Sequence, residues 1–331
     1  MRALICGISG QDGAYLAQLL LGKGYTVVGT SRDAQTSSFS GLKRLGIFDD
    51  VQLESMATHD FRSVLHVLRR VAPDEIYNLA GQTSVGLSFG QPVETLDSII
   101  TGTLNILESM RFLEKPIRYY SAGSGECYGN VGATGAVEEA PFEPRSPYAV
   151  AKAATFWLVA NYREAYGLHA STGVLFNHES PLRPQRFVTR KIISAACRIS
   201  QGKTEKLTLG NLDIRRDWGW APEYVDAMWR MVQREKADDF IIATGVSNSL
   251  EDFVRIAFAE VGLDWREHTV LSDSLRRPTD ISDGKGDPTK AERLLGWKAK
   301  AHMKDVIAMM VKAELEGPER RRAVEAVELE G

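Results

Sequence analysis

Short apolar runs alternate with amphipathic stretches through the first half of the chain. "RALIC" (2–6), "YTVVGT" (25–30), "VQLES" (51–55), "EIYNLA" (75–80), "IRYYSA" (117–122) and "HASTGVLF" (169–176) each read as a strand. Between them, helical spacing runs from about Ala14 to Gly24, from Phe61 to Val71, from about Val93 to Leu113, and onward from near Tyr148. Strands alternating with helices at this interval predict an α/β fold, a doubly wound parallel sheet covered on both faces. Ligands of such sheets lie beyond the carboxyl ends of the strands. After about Asn177 the alternation loosens, and "RFVTRK", "RRDWGW" and "RRPTD" read as parts of longer loops. The pattern predicts a dinucleotide-binding sheet domain over 1–176. A smaller C-terminal substrate lobe over 177–316 is interleaved with it, and a charged tail covers 317–331.

Composition narrows the class. With 331 residues, 44% of them hydrophobic, the chain can bury one large core and a smaller one. A net charge of -3 with interspersed signs gives no reason to invoke nucleic acid or an acidic membrane. The three cysteines, Cys6, Cys127 and Cys197, are too scattered for a disulfide framework or a cysteine metal site. No apolar run reaches about 18 residues, the length that spans a bilayer. "MRALICG" enters a strand at once and leaves no room for a secretory signal. The expectation is a soluble cytoplasmic protein without a metal.

Chemistry concentrates in three places. "GISGQDG" sets Gly7, Gly10 and Gly13 between strand and helix, with Ser9, Gln11 and Asp12 among them. Glycines there permit a tight turn and let backbone N–H groups meet a pyrophosphate at a helix N-terminus. The spacing is G-x-x-G-x-x-G, and a glycine triplet alone is weak evidence. At the end of the second strand, "GTSRD" offers Asp33 for a ribose 2′-hydroxyl and Arg32 for a 2′-phosphate; spacing does not choose between them. "SPYAVAK" puts Tyr148 and Lys152 on one helix face, where an ammonium favours the phenolate. With Ser124 past the preceding strand, the set suits moving a proton together with a hydride. Glu126 sits among small residues in "SAGSGECYGN" and is either a solvated loop acid or a group aimed at a ligand.

"GISGQDGAYLAQLLLGKGY", "SPYAVAK", "NYREAYG", "LFNHESP", "FVTRK" and "RRDWG" resemble the GDP-mannose 4,6-dehydratases, which are extended short-chain dehydrogenase/reductases. The likeness runs from about residue 2 to 316. It implies a Rossmann fold, NADP as cofactor, a GDP-sugar substrate and a homodimer or homotetramer. Position by position, it implies a catalytic set of Ser124, Glu126, Tyr148 and Lys152. It makes Arg32 the NADP-selecting residue and places Leu79, Ala80, Gln82, Thr83, His178 and Arg183 against NADP, beside the glycine loop, Tyr148 and Lys152. Asn177, Val188, Lys191, Arg216 and Arg277 would hold the GDP moiety, and Asp280 the ribose. The implied reaction converts GDP-mannose to its 4-keto-6-deoxy derivative, with Glu126 removing the C5 proton. Related readings are a dehydratase of GDP-manno-heptose, a GDP-4-keto-6-deoxy-sugar reductase and a non-catalytic NADP-binding regulator. Gly125 departs from the family, which carries a hydroxyl next to the catalytic acid.

Overall fold

The computed structural model describes residues 1–132, 134–275 and 277–328. Arg276, which opens "RRPTD", and residues 329–331 of the expected tail lie outside the described residues. Seven parallel strands form the main sheet: β1 (Arg2–Cys6), β2 (Thr26–Ser31), β3 (Gln52–Ser55), β4 (Glu75–Asn78), β5 (Arg118–Ser124), β6 (His169–Leu175) and β10 (Phe240–Ile242). Their order is β10-β6-β5-β4-β1-β2-β3, so the direction of winding reverses between β1 and β4. On one face, α1 (Gln11–Gly22) and α9 (Ala221–Gln233) enclose a core holding Leu16, Leu20, Val27 and Met228. On the other, α3 (Phe61–Val71), α6 (Gly102–Leu113) and α7 (Pro147–Tyr166) bury Leu68, Ile106 and Tyr119. Each fully buried side chain of this size stabilises the fold by roughly 1.5–3 kcal/mol.

Local sequence explains the helix boundaries. Asp60 caps α3, its Oδ1 accepting from the Arg62 N–H at 2.8 Å and the Ser63 N–H at 3.4 Å. Val64, Val67, Leu68 and Val71 follow at helical spacing and are buried. The stretch read as one helix from Val93 is a helical run in three parts: α5 (Pro92–Leu96), a widened turn with i→i+5 bonding over Asp97–Thr101, and α6. The wide turn places Ile99 in a small core with Tyr148 and Ala151. Short helices α2 (Ser40–Arg44) and α4 (Val85–Gly90) complete this half.

The second lobe holds more regular structure than expected. One residue, Phe176, separates β6 from β7 (Asn177–Glu179), which leaves the main sheet and pairs in parallel with β9 (Arg215–Trp220). The first half of β9 pairs with β11 (Ser247–Ser249) and β13 (Asp283–Gly284), while β8 (Leu207–Leu209) pairs with β12 (Thr269–Leu271). Helices α8 (Val188–Ser200), α10 (Leu250–Ala259) and α13 (Met303–Glu328) pack around Trp218, Phe253 and Ile307. The shorter α11 (Trp265–His268) and α12 (Thr289–Leu295) lie between α10 and α13 in sequence. The expected loops are therefore corrected at two places: "RRDWGW" is β9, and most of "RFVTRK" is the first turn of α8. The polar letters misled because Arg190, Arg216 and Asp217 are buried and paired. Asp217, with no exposed surface, accepts hydrogen bonds from the Thr244 N–H and hydroxyl and the Gly245 N–H, at 2.9, 2.7 and 2.9 Å. Residues 317–328 continue α13 across a break at Gly317.

Candidate active site

Residues 7–10 join β1 to α1 where the sheet reverses its winding, and 11–13 open the helix. Gly7 has φ +85°, and a Cβ there would lie 2.9 Å from the Leu79 carbonyl oxygen. A Cβ on Gly13 would sit 2.6 Å from both the Gly7 oxygen and the Ile8 Cα, so only glycine lets α1 start this close to the turn. Gly10 precedes α1 without a side-chain cap, which leaves the first-turn N–H groups available to an anion. This turn fits a dinucleotide pyrophosphate. The Gln11 amide donates to Asp12 Oδ1 at 3.0 Å and the His178 carbonyl at 3.2 Å, and accepts from the Ser180 hydroxyl at 2.7 Å. Asp12 Oδ2 lies 3.0 Å from His178 Nε2, while His178 Nδ1 donates to the Phe176 carbonyl at 2.8 Å. Burial disfavours charge on both the carboxyl and the imidazole, but the mutual attraction wins. The Asp12 carboxyl is held below its ordinary range and the His178 imidazolium above its own.

A cavity of about 410 Å³ opens beyond the carboxyl ends of β5 and β6. Ser124, the last residue of β5, accepts from the Glu126 N–H at 3.3 Å and so starts the tight turn that carries Glu126. Ser146 caps α7 by accepting from the Ala149 N–H at 3.1 Å, and Pro147 fills the first helical position. That start fixes Tyr148 and Lys152 on the cavity wall, with Lys152 Nζ 5.9 Å from the Tyr148 ring centroid and donating to the Ala122 carbonyl at 2.7 Å. Burial pulls the Lys152 ammonium down to about 8, against the attraction of nearby negative groups including Asp12. Burial pushes the Tyr148 phenol up, against a hydrogen bond from Ser124. Burial also raises the Glu126 carboxyl, which Arg216 and Arg277 oppose.

Of the expected substrate residues, Asn177, Val188, Lys191, Arg216 and Arg277 line the cavity. Lys191 Nζ donates to the Thr208 carbonyl at 2.7 Å. Arg216 is 5% exposed and already engaged: it donates to the Arg215 and Ile281 carbonyls and to Asp280, and its Nε lies 3.7 Å from Glu126. Asp280 stands behind the wall, bridging Arg216 at 2.9 Å and Arg277 at 3.3 Å. Asp12, Leu79, Thr83, His178 and Arg183 also face the cavity. Gly7, Ser9, Gly10, Gln11, Gly13, Ala80 and Gln82 do not line it and belong to the adjoining turns. Arg32 lies apart at the end of β2, its side chain 75% exposed and 3.6 Å from Glu94. Asp33 spends Oδ1 on the N–H groups of Gln35 and Thr36, so its carboxylate serves its own turn.

Several cavity residues escaped the sequence reading. Glu179, 1% exposed, accepts from the Thr189 hydroxyl at 2.7 Å and pairs with Arg183 at 3.1 Å. Arg186 reaches from the second lobe to the Thr83 hydroxyl at 3.5 Å. Phe176 fills the space beside Gly125: a Cβ on Gly125 would lie 2.9 Å from Cε1, Cε2 and Cζ of its ring, and one on Gly286 2.7 Å from Cε2. "LFNHESP" contained Phe176 and Glu179, but spacing carries no sign of partners in other elements. Among the described residues, no cluster of His, Cys, Asp and Glu could hold a metal ion, and no helix is long and apolar enough to cross a membrane.

A parallel sheet wound in this order, with serine, tyrosine and lysine meeting at its carboxyl edge, defines a protein of the short-chain dehydrogenase/reductase class. The chain belongs to the GDP-mannose 4,6-dehydratase family, whose profile it matches over residues 4–310. It is 44% identical to GDP-mannose 4,6 dehydratase 1 of Arabidopsis thaliana, covering 97% of this chain and 92% of that one. Against the GDP-mannose 4,6-dehydratase of Sinorhizobium fredii the identity is 43%, with 95% and 96% covered. Among solved structures, the Thermus thermophilus UDP-glucose 4-epimerase in complex with NAD has a TM-score of 0.84 at 23% identity, covering 96% of this chain and 99% of that one. That likeness is one of fold.

Proposed function

We propose that this chain is an NADP-dependent GDP-mannose 4,6-dehydratase that forms GDP-4-keto-6-deoxymannose. The observation that carries the reading is the meeting of Glu126 with Ser124, Tyr148 and Lys152 on one cavity wall. When bound, NADP supplies a hydride acceptor for C4 and later a donor for C6. Tyr148, as the phenolate that Ser124 and Lys152 stabilise, takes the C4 hydroxyl proton. The 4-keto group acidifies C5, and Glu126 removes that proton. Water then leaves from C6. A simple dehydrogenase needs only the serine, tyrosine and lysine, whereas the elimination needs a further base. Burial equips Glu126 for it by bringing the carboxyl nearer the pH of proton transfer. With Gly125 beside it, Glu126 also serves as proton donor to the departing hydroxyl, directly or through water. Mass spectrometry of GDP-mannose incubated with the protein and NADP tests the reading. Loss of water without added reductant supports it; a gain of two hydrogens from NADPH identifies a reductase, and no change a binder. GDP-manno-heptose assayed in parallel decides the sugar.

The substrate's diphosphate meets Lys191, Arg216 and Arg277, with Asn177 and Val188 beside them and Asp280 behind. Lys191→Ala is expected to raise KM about tenfold or more while kcat changes less, the mark of an interaction made equally in ground and transition states. Steady-state kinetics check this, and protection from thermal unfolding by UDP but not GDP would overturn the GDP assignment. For the cofactor, Arg32→Ala is expected to remove most of a roughly tenfold or greater preference for NADP over NAD, since an arginine–phosphate contact is charge-assisted. Equal titration of NADP and NAD by the wild type would pass the selecting role to Asp33. The reading includes a homo-oligomer. Trp157, 64% exposed on α7, and Phe112, 67% exposed on α6, are apolar side chains left for such a contact.

A further inference from the structure

Asp12 poses an electrostatic problem for the glycine turn. It stands in the first turn of α1 and faces the cavity, beside the N–H groups suited to a pyrophosphate. A carboxylate at this position favours the bare helix terminus, but it repels a second anion docking there. The answer comes from 166 residues away. Both Asp12 oxygens are engaged, Oδ1 by the Gln11 amide and Oδ2 by His178 Nε2. The His178 ring is equally constrained. Its Nδ1 faces the Phe176 carbonyl, which can only accept, and its other nitrogen faces a carboxylate, so the doubly protonated ring satisfies both. Tyr224 of α9 stacks on it at 4.5 Å. His178 therefore has no ring nitrogen left for a ligand.

We infer that His178 is a positioning residue whose imidazolium neutralises Asp12, allowing the glycine turn to accept a dinucleotide pyrophosphate and tying that acceptance to β7 of the second lobe. The inference rests on the NADP reading above. Burial opposes a charged His178, yet Asp12 raises its pKa above the ordinary histidine value, so the imidazolium persists to higher pH than that of a free histidine. Its charge, and the stability it lends, is complete below the unfolded histidine value and lost as pH rises through the raised one. Asp12, held low, stays ionised throughout that rise. The other groups in play are Arg183, which opposes protonation of His178; Lys152 of α7 and Tyr120 of β5, which sense Asp12; and Asp217, Glu223 and Glu179, whose charges Tyr224 senses.

The test is NADPH affinity by fluorescence titration, across pH, for the wild type, His178→Asn, Asp12→Asn and the double variant. Wild-type affinity is expected to fall as pH rises through the His178 pKa, by up to about tenfold per pH unit. His178→Asn is expected to bind about tenfold more weakly at neutral pH, and adding Asp12→Asn to restore most of the loss, because the repelling charge is gone. A double variant no tighter than His178→Asn assigns the pair a purely structural role and overturns the inference. Histidine ring NMR of the wild type needs no variant to fold. NADP should raise the His178 pKa, by the reciprocity of linked binding, and a neutral His178 ring at pH 7 overturns the inference. A wild type that binds GDP but no NADPH at any pH rejects the cofactor reading itself, a result distinct from a failed rescue.

Discussion

Glu126→Gln is expected to abolish dehydration while leaving the first oxidation intact. Glutamine preserves the shape and the N–H contact to Ser124 but cannot accept a proton at neutral pH. Loss of a positioned base costs on the order of 10²–10⁴ in rate. No other carboxylate on the described cavity wall is free to replace it. Asp12 is committed to His178 and Gln11, and Glu179 to Thr189 and Arg183. In a single turnover, reduced-nicotinamide absorbance should appear and persist, because elimination stalls after C4 is oxidised. The wild type should show little net absorbance, and Tyr148→Phe none. In the wild type, the acid limb of kcat should lie above the ordinary glutamate range, since burial raises this carboxyl and only its ionised form can take the C5 proton. Full turnover by Glu126→Gln would make the residue a loop acid.

Lys152→Met should separate activity from stability. Catalysis is expected to fall on the order of 10²–10⁴, because the phenolate of Tyr148 loses its cation. The fold should become more stable. Burial holds Lys152 at about 8, which places the ammonium under a penalty of roughly 3 kcal/mol relative to the unfolded chain at neutral pH. Loss of the hydrogen bond to the Ala122 carbonyl offsets about 1 kcal/mol of the gain. The sign in pH follows from the depressed value. Between about 8 and the ordinary lysine range the unfolded chain binds the proton and the folded one does not, so this group makes wild-type stability increase with pH there. The Met variant should lack that increase. Tm measured against pH for both proteins decides it; a lower Tm for Lys152→Met at neutral pH would mean the buried ammonium is better compensated than its surroundings indicate.

What could be read in the sequence was whatever depends on neighbours along the chain. The six strands of the first half come from apolar runs, and α3 from one spaced set of four residues with an acid in front. "SPYAVAK" contained its own cap, and Tyr148 and Lys152 share a face by helical spacing alone. The remainder depends on partners far apart in sequence. Strand β9 reads as a polar loop because Arg216 and Asp217 are charged, and the groups that make their burial tolerable lie on segments near 244 and 280. The pairing of Asp12 with His178 is equally silent, since one lies in a glycine turn and the other in a strand of a different sheet. Arg32 and Asp33 could be ordered by preference only through the family resemblance, and the turn that occupies Asp33 became visible only in three dimensions.

The glycine at 125 also limits the routes by which this enzyme can change. Phe176 occupies the volume that any side chain at 125 would need, and Gly286 packs close against the same end of the ring. A single substitution that adds a hydroxyl or a second acid beside Glu126 therefore meets an aromatic ring before it can meet a substrate. Such a residue becomes accessible only after Phe176 has been replaced by something smaller, and that first change removes a buried ring from the cavity wall. The two steps are individually unfavourable in either order. A designer wishing to place a second polar group beside Glu126 would have to change both residues together, and a lineage drifting by single replacements would tend to keep one carboxylate alone at this turn.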